Sequence, residues 1–265
     1  MPELPEVEVV RRTLNNKLKG KIIRKVDVLY NNIIGIGEPI NNIENNKILE
    51  IKRRGKWLIF CFDNYYMISH LRMEGKWFIK NNSPIEKHEH VIFYFDDFEL
   101  RYHDTRKFGR IFLIKKDKID DFFSNLGMDA NNLEYSYLKD KFSISKLQSK
   151  SLKEVLLDQS IISGIGNIYA DEISYKLGLI PSTKIKDLNK KDLENLILYS
   201  KEILNKSIEC GGTTIRSYTS SLGVIGNNQD NLIVHRRLNC KVCGSPITKI
   251  KLAGRTTYYC PVCQK

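Results

Sequence analysis

Residues 57–71 read WLIFCFDNYYMISHL, two aromatic and apolar runs separated by Asp63-Asn64. Such runs favour β-strands, and a polar pair between them is typical of a hairpin turn. Asp96-Asp97 separates two other runs in the same way. The remaining runs lie between residues 22 and 114, at Ile22–Leu29, Ile48–Arg53, Lys76–Ile79, Val91–Phe95, Glu99–His103 and Ile111–Ile114. About eight short strands in this order predict an antiparallel sandwich or barrel.

Helical patterns flank the strand-rich region. An apolar stripe with helical spacing runs along residues 5–18, at Val7, Val10, Leu14 and Leu18. Further helices are predicted at Ile119–Leu126, Ser151–Gln159, Asn167–Leu177 and Lys190–Glu209. Polar residues 131–141 indicate a linker, and Ser217–Asn231 indicates a mobile loop. The sequence predicts an α+β chain with a β-sandwich domain over 1–130, a linker over 131–150, a helical domain over 151–230 and a cysteine-bearing module over 231–265.

Composition and charge limit the classes of function. The 265 residues are 42% hydrophobic, which suits packed cores and not a disordered chain. Lys and Arg outnumber Asp and Glu by 43 to 31, which gives a net charge of +12. Such an excess indicates a nucleic-acid partner, and the alternative is a basic surface without a function. No run approaches the roughly 20 apolar residues of a membrane span, and the N-terminus does not resemble a signal peptide. We therefore expect a cytoplasmic protein without membrane contact.

Four cysteines near the C-terminus have the spacing of metal ligands. They form two CxxC pairs separated by 16 residues: Cys240 with Cys243, and Cys260 with Cys263. Two such turns close a site of four thiolates with no open position, which predicts one structural zinc ion rather than a catalytic metal. Free thiols or disulfides are the alternatives, and disulfides suit a reducing compartment poorly. Residues 246–259 predict a β-ribbon with Ala253-Gly254-Arg255 at its turn, where Arg255 either meets a phosphate or stays solvated.

The first six residues combine a nucleophile with two carboxylates. A chain that begins Met1-Pro2 normally loses its methionine, because the second residue is small, and Pro2 then carries a secondary α-amine. This amine has a pKa of about 8, is partly neutral at pH 7, and can attack a carbon to form an iminium. Glu3 and Glu6 are candidates to move protons. The alternative is an ordinary helix start, where acidic residues interact favourably with the helix dipole.

Several motifs together identify a family. They are MPELPEVE at residues 1–8, RRGK at 53–56, SHLRMEG at 69–75, DTRKFG at 104–109 and GIGNIYA at 164–170. With the CxxC pairs, they resemble the formamidopyrimidine-DNA glycosylase family along the whole chain and in the family's order. The resemblance implies a β-sandwich flanked by helices, then a helix–two-turn–helix domain with a zinc finger. The related endonuclease VIII branch typically begins Pro-Glu-Gly-Pro, so Leu4 and the Arg-x-Phe element at residues 106–108 favour the formamidopyrimidine branch.

The resemblance also implies roles for residues in the reaction. Pro2 matches the nucleophile that attacks C1′ of the damaged nucleotide, and Glu3 matches the general acid/base. Glu6 matches a supporting carboxylate near the lesion. Lys56 matches a phosphate contact that assists elimination, although on the residue alone a solvated lysine is the usual interpretation. Arg255 matches the finger arginine that grips a phosphate beside the lesion.

Three side chains match those that fill the duplex after the damaged base has left: Met73, Arg106 and Phe108. Flipping a nucleotide costs a few kcal/mol of unstacking, which an apolar wedge and a cation partly offset. For Met73 and Phe108 the alternative is a place in the hydrophobic core.

The remaining matches concern the DNA backbone and the lesion. Asn167 matches a phosphate contact at a helix N-terminus, and it is also a candidate N-cap. His70 and His88 match polar residues near the DNA backbone, and Glu74 is a candidate contact to the lesion.

The family's activity is a bifunctional DNA glycosylase and AP lyase that removes oxidised purines, such as 8-oxoguanine and formamidopyrimidines, from duplex DNA. We expect a monomer that needs no catalytic metal or organic cofactor. The alternatives are the same chemistry on oxidised pyrimidines, or a non-enzymatic DNA-binding protein. Two stretches depart from the family pattern: His235-Arg236-Arg237 replaces Tyr-Gly-Arg, and Gly226-Asn227-Asn228-Gln229 lacks the usual aromatic, which leaves the substrate range open.

Overall fold

The computed structural model describes residues 1–81, 83–213 and 226–265. These residues separate into two compact units, one of residues 1–124 with the described part of 211–226, the other of residues 125–210 with 227–265. The helices and strands of the first unit are α1 (Leu4–Leu18), β1 (Lys25–Val28), β2 (Glu50–Arg54), β3 (Trp57–Cys61), β4 (Tyr65–His70), β5 (Lys76–Lys80), β6 (Glu89–Tyr94), β7 (Glu99–His103), β8 (Arg110–Lys115) and α2 (Ile119–Phe122).

The strands of the first unit form two antiparallel four-stranded sheets, so the sandwich is confirmed and the barrel alternative is wrong. One sheet has the order β1-β6-β7-β5 and the other β2-β3-β4-β8. Both predicted hairpin turns are present. The Phe62 N–H donates to the Tyr65 carbonyl at 3.0 Å around Asp63-Asn64, and the Phe95 N–H donates to the Phe98 carbonyl at 3.0 Å.

Trp77 joins the two sheets at the centre of the core. Its ring centroid lies 5.5 Å from that of Phe60 on the opposite sheet. On its own sheet it lies 5.7 Å from Phe93 and 4.9 Å from Tyr102. All four residues have a relative exposure of 0%. This cluster fixes the ends of the strands from which the loops of the candidate site emerge.

The second unit is mainly helical. Its elements are β9 (Met128–Asp129), α3 (Tyr135–Phe142), α4 (Ser145–Gln148), α5 (Leu152–Leu157), β10 (Ile162–Ser163), α6 (Asn167–Lys176), α7 (Lys190–Glu209), β11 (Thr248–Leu252) and β12 (Arg255–Tyr259). The hydroxyls of Tyr169 in α6 and Ser207 in α7 hydrogen-bond at 2.6 Å. Among the described residues, none of the helices has both the length and the apolar character needed to cross a bilayer.

Residues 131–150 differ from the predicted linker, because α3 and α4 lie within them. The polar composition hides buried apolar residues in both helices, Leu138 and Phe142 in α3 and Leu147 in α4. Leu138 and Phe142 are four residues apart, so they lie on one side of α3, which packs inward. The domain boundaries after residues 130, 150 and 230 stay predictions.

Two loop predictions also need correction or restriction. The predicted loop Ser217–Asn231 falls mostly on residues 214–225, outside the described residues, and its end forms a 3₁₀ turn at Asn228–Asn231. In the finger, Leu252 pairs with Arg255, so the turn consists of Ala253-Gly254 alone and Arg255 is the first residue of β12. Both turn residues have positive φ (51° and 68°), as the right-handed twist of a two-residue hairpin requires.

We predict that Trp77→Ala lowers the free energy of unfolding of the first unit by about 3–5 kcal/mol, because it leaves a cavity between the two sheets. Urea denaturation followed by circular dichroism measures the change. Ile36→Ala is the control, since Ile36 is 100% exposed and its loss should cost no more than about 0.5 kcal/mol. Equal stabilities of the two variants would contradict this account of the core.

Candidate active site and nucleic-acid interface

The start of α1 holds the predicted nucleophile and carboxylates. Pro2, Glu3 and Glu6 are all buried. The Glu3 N–H donates to Glu6 Oε2 at 2.8 Å, and the Thr213 N–H donates to Glu6 Oε1 at 2.8 Å. Gly212 has φ +81°, and a Cβ there would lie 3.2 Å from Glu6 Cγ. One carboxylate therefore joins the first turn of α1 to residues 212–213.

Lys56 lies in the turn between β2 and β3 and is buried, with 4% relative exposure. Arg54 pairs with Trp57, which leaves Gly55-Lys56 as a two-residue turn in which Gly55 has φ +56°. Arg53 donates to the Gly55 carbonyl at 3.0 Å. The Arg53 side chain therefore stabilises the turn that contains Lys56.

The ion pair between Arg53 and Glu8 connects this turn to α1, with Arg53 Nε 3.2 Å from Glu8 Oε2. Burial opposes ionisation of Glu8. Hydrogen bonds from Arg11 and Arg12, and the charges of Arg11 and Arg53, outweigh it, so the pKa of Glu8 lies below its ordinary value. Glu8 therefore stays charged and keeps the Lys56 turn beside the helix that carries Glu3 and Glu6.

His70 at the end of β4 is neutral. Its ring packs edge-on against Trp57 with centroids 4.4 Å apart, and its Nδ1 accepts the Arg72 N–H at 3.0 Å. Burial, then the positive charges of Arg72 and Lys56, lower the pKa of His70 to about 3. Because Nδ1 is an acceptor, the ring proton resides on Nε2. The residue predicted near the DNA backbone is therefore a neutral donor.

The next segment, Leu71–Gly75, contains Met73 and Glu74 and contacts a second loop at residues 104–109. The Thr105 hydroxyl donates to the Glu74 carboxylate. In the second loop, the buried Asp104 accepts the Arg106 N–H at 3.0 Å and the Gly109 N–H at 2.8 Å. These hydrogen bonds to Asp104 restrain the backbone of residues 105–108, whose side chains are exposed.

The hydroxyl of Tyr102 packs beneath both loops. A Cβ at Gly75 would lie 2.2 Å from Tyr102 Oη, and one at Gly109 would lie 1.7 Å from the same atom. Both distances are below the closest real contacts of a Cβ, so only glycine fits at either position. The sequence shows both glycines, but it does not show that one side chain explains them.

The three predicted duplex-filling residues lie on these two loops. Arg106 is exposed, Phe108 is 50% exposed, and Met73 is half-buried. The core alternative for Phe108 is therefore wrong. The Arg106 guanidinium carbon lies 4.8 Å from the Phe108 ring centroid, a cation–π contact that pairs the cation with the apolar side chain. His88 adjoins the same loop, because its carbonyl accepts the Asp104 N–H at 3.0 Å.

In the second unit, Asn167 is the first residue of α6, after Gly166 as N-cap, so the N-cap alternative is wrong. Gly164 just before it has φ +107°, which favours glycine. Asn167 Nδ2 donates to the Thr256 carbonyl at 2.9 Å. Asn167 thus lies beside the strand that begins with the exposed Arg255, and the two predicted phosphate contacts of this unit are neighbours.

The four cysteine sulfurs lie within 4.8 Å of one another, which confirms the cluster that the spacing predicted. Tetrahedral zinc places thiolates about 3.8 Å apart, at Zn–S distances of about 2.3 Å, so a small adjustment suits them to the ion. Cys240 and Cys260 are buried. These residues fit a closed structural zinc site.

A buried polar network before the finger was not predicted. Lys153 Nζ lies 2.6 Å from Asp171 Oδ1, and His235 Nδ1 lies 2.7 Å from Asp171 Oδ2. Glu172 accepts the N–H groups of three consecutive residues, Ile233, Val234 and His235, at 2.8–3.0 Å. Burial raises the pKa of Glu172 despite these bonds. Asp171 and Glu172 lie more than 60 residues before residues 233–235, so no local pattern reveals these contacts.

Known proteins resemble this chain over its whole length. Family models match residues 1–111 (Formamidopyrimidine-DNA glycosylase N-terminal domain), 126–219 (Formamidopyrimidine-DNA glycosylase H2TH domain) and 238–265 (Zinc finger found in FPG and IleRS). The formamidopyrimidine-DNA glycosylase of Bacillus licheniformis is 43% identical over 280 residues, which cover 100% of both chains. That of Bacillus subtilis is 42% identical over 276 residues, covering 100% of this chain and 99% of the relative.

Solved structures of Lactococcus lactis Fpg bound to DNA are also similar. The complex with DNA containing N7-benzyl-Fapy-dG has a TM-score of 0.92 and 37% identity, and covers 100% of both chains. The complex with DNA containing an abasic site has a TM-score of 0.91 and 37% identity, and covers 99% of both.

We predict that His70 lowers stability in mild acid. Its folded pKa of about 3 lies below the ordinary value of 6.5, so the unfolded chain binds the proton more readily, and stability present above pH 6.5 is lost as the pH falls towards 3. At pH 5 the loss is about 2 kcal/mol. Urea denaturation measures the free energy of unfolding at pH 7.5 and at pH 5.0. The decrease between these two pH values should be smaller by about 2 kcal/mol in His70→Asn than in the unchanged protein. An identical pH dependence in both proteins would refute the neutral state of His70.

Proposed function

The chain belongs to the formamidopyrimidine-DNA glycosylase family, and from this premise we propose that it is a bifunctional glycosylase and AP lyase that removes oxidised purines, such as 8-oxoguanine and formamidopyrimidines, from duplex DNA in base excision repair. The Glu6 carboxylate, fixed by the N–H groups of Glu3 and Thr213, is the main support for this proposal. It keeps the chain's first residues in one place, as a nucleophile at residue 2 requires.

The chemistry begins after removal of the exposed Met1, which frees the amine of Pro2. The amine's lone pair forms a bond to C1′ as the C1′–N bond to the base breaks, and the base leaves with that electron pair and takes a proton from water. Glu3 takes the amine proton and returns it to O4′ when the sugar ring opens, which leaves an iminium.

The iminium is the electron sink for strand cleavage, so the scheme needs no catalytic metal or organic cofactor. Loss of a C2′ proton expels the 3′-phosphate as β-elimination, and loss of a further sugar proton expels the 5′-phosphate as δ-elimination. Lys56, buried in the turn that the Arg53–Glu8 ion pair holds beside α1 and close enough to lower the pKa of His70, contacts a phosphate and assists elimination.

Met73, Arg106 and Phe108 fill the space of the flipped nucleotide. The exposure of Phe108, its contact with Arg106 and the bond between Thr105 and Glu74 support this role, because a wedge must be both exposed and rigid. Glu74 lies on the same loop as Met73 and is a candidate contact to the lesion.

The other predicted residues hold the DNA backbone of damaged duplex DNA. His70 offers Nε2–H as a neutral donor, and His88 adjoins the loop of residues 104–109, which we call the wedge loop. Asn167 and Arg255 present a polar group and a cation from neighbouring elements of the second unit. One zinc ion bound by the four cysteines supports the finger. We propose that the protein acts in the cytoplasm as a monomer without membrane contact.

We predict that a chain with an uncleaved extension before Met1 forms no covalent adduct with abasic duplex DNA under borohydride, because its residue 2 nitrogen is an amide. The untagged chain should form the adduct, and peptide mapping should locate the DNA on Pro2. Glu3→Gln is the matched control: it keeps the amine, so it should still be trapped on abasic DNA, while release of 8-oxoguanine falls by about 10²–10⁴-fold.

Three outcomes would overturn parts of this proposal. Full trapping of the extended chain would exclude the α-amine as nucleophile. The absence of any adduct with the untagged chain would favour a protein that only binds DNA. Faster release of thymine glycol than of 8-oxoguanine from matched duplexes would assign the activity to oxidised pyrimidines.

We also predict a steep salt dependence of duplex binding, because phosphate contacts release counterions. Arg255→Ala should reduce the slope of log K against log salt concentration by about 1. Lys17→Ala removes the same charge from the exposed side of α1 and should leave the slope unchanged. Fluorescence anisotropy at several salt concentrations measures both variants, and equal slopes for Arg255→Ala and the unchanged protein would exclude a phosphate contact.

A further inference from the structure

Helix α6 contacts the finger and the segment just before it. At its first residue, Asn167 Nδ2 donates to the Thr256 carbonyl of β12. In its middle, Glu172 accepts the N–H groups of residues 233–235. In its last turn, Tyr175 packs against the cluster of Val234, Cys240 and Cys260. The first two contacts bind backbone groups, at Thr256 and at residues 233–235. The third brings the Tyr175 hydroxyl close to a cysteine sulfur.

The Tyr175 hydroxyl reaches a cysteine of the first CxxC pair. Its oxygen lies 3.8 Å from Cys240 Sγ, and Cys263 of the second pair packs against the same cluster of Val234, Cys240 and Cys260. Cys240 and Tyr175 are 65 residues apart in the sequence. Other contacts to the sulfurs come from the finger's own turns, such as the Cys263 N–H, which lies 3.4 Å from Cys260 Sγ.

We propose that Tyr175 is a positioning residue for the zinc site, where its hydroxyl donates a hydrogen bond to the metal-bound thiolate of Cys240 and ties α6 to the ion. The inference rests on the zinc site proposed above. Zinc with four thiolates carries a net charge of −2, and Cys240 and Cys260 hold part of that charge away from water. A metal-bound thiolate has no proton to give, so in this pair the hydroxyl is the donor.

Such a bond stabilises the charged thiolates, and with them the metal. Outer hydrogen bonds of this kind typically change metal affinity by about 10–100-fold. A role in packing alone gives a different expectation, because phenylalanine keeps the ring and removes only the hydroxyl. Metal binding by the Tyr175→Phe variant therefore distinguishes the two roles, whereas its folding does not.

The test compares Tyr175→Phe with Tyr169→Phe in zinc-loaded full-length protein. Tyr169 lies in the same helix, and its hydroxyl bonds to Ser207 and not to a sulfur. We expect Tyr175→Phe to release zinc to a chromogenic chelator about tenfold faster than the unchanged protein, and Tyr169→Phe to release it at the unchanged rate. In cobalt-substituted protein, the thiolate-to-metal charge-transfer band should shift only in Tyr175→Phe.

Each outcome bears on one of the two claims. If the unchanged protein contains about one zinc per chain and Tyr175→Phe releases it at the unchanged rate with an unshifted cobalt band, the role of Tyr175 is overturned and the zinc site stands. If both variants release zinc equally faster, the effect comes from helix packing, and the proposal also fails. If purified unchanged protein neither contains nor takes up zinc or cobalt, the zinc site itself is wrong.

Discussion

Buried carboxylates that accept backbone N–H groups hold the functional segments of this protein in place. Glu6 does so at the start of α1, Asp104 in the wedge loop and Glu172 before the finger. Burying a carboxylate is costly, and charge-assisted bonds from N–H groups offset that cost only while the backbone keeps one conformation. Each carboxylate therefore penalises any rearrangement of its segment.

The same arrangement makes the surface more basic than the net charge indicates. Within the described residues, the buried acidic side chains outnumber the buried basic ones: Glu3, Glu6, Glu89, Asp104, Asp171 and Glu172 against Lys56, Arg101 and Lys153. The positive excess on exposed groups is therefore larger than the overall +12. Asp104 illustrates this arrangement, because it binds the N–H groups of Arg106 and Gly109 from a buried position and places no negative charge at the surface of its loop.

Local patterns in the sequence predicted the elements well, but not the contacts between them. The strands near Asp63-Asn64, the stripe of α1 and the CxxC pairs each depend on residues close together in the chain, and the structure confirms them. Helix α3 was missed because two apolar residues in a polar stretch give a weak periodic signal. Tyr102 beneath two glycines, and Tyr175 beside the sulfur of Cys240, depend on chain segments far apart. Nothing in the neighbouring sequence distinguishes these two tyrosines from others in the chain.

The departure His235-Arg236-Arg237 from the family's Tyr-Gly-Arg can be explained residue by residue. His235 Nδ1 lies 2.7 Å from Asp171 Oδ2, so His235 binds the buried pair of Asp171 and Lys153. Arg236 has φ +57°, which glycine adopts freely and which costs another residue about 1 kcal/mol. Arg237 anchors the segment, since it donates to the Leu232 and Gln229 carbonyls. Hydrogen bonds from Arg237 and the three N–H bonds to Glu172 therefore hold a segment that carries a modest backbone strain at Arg236.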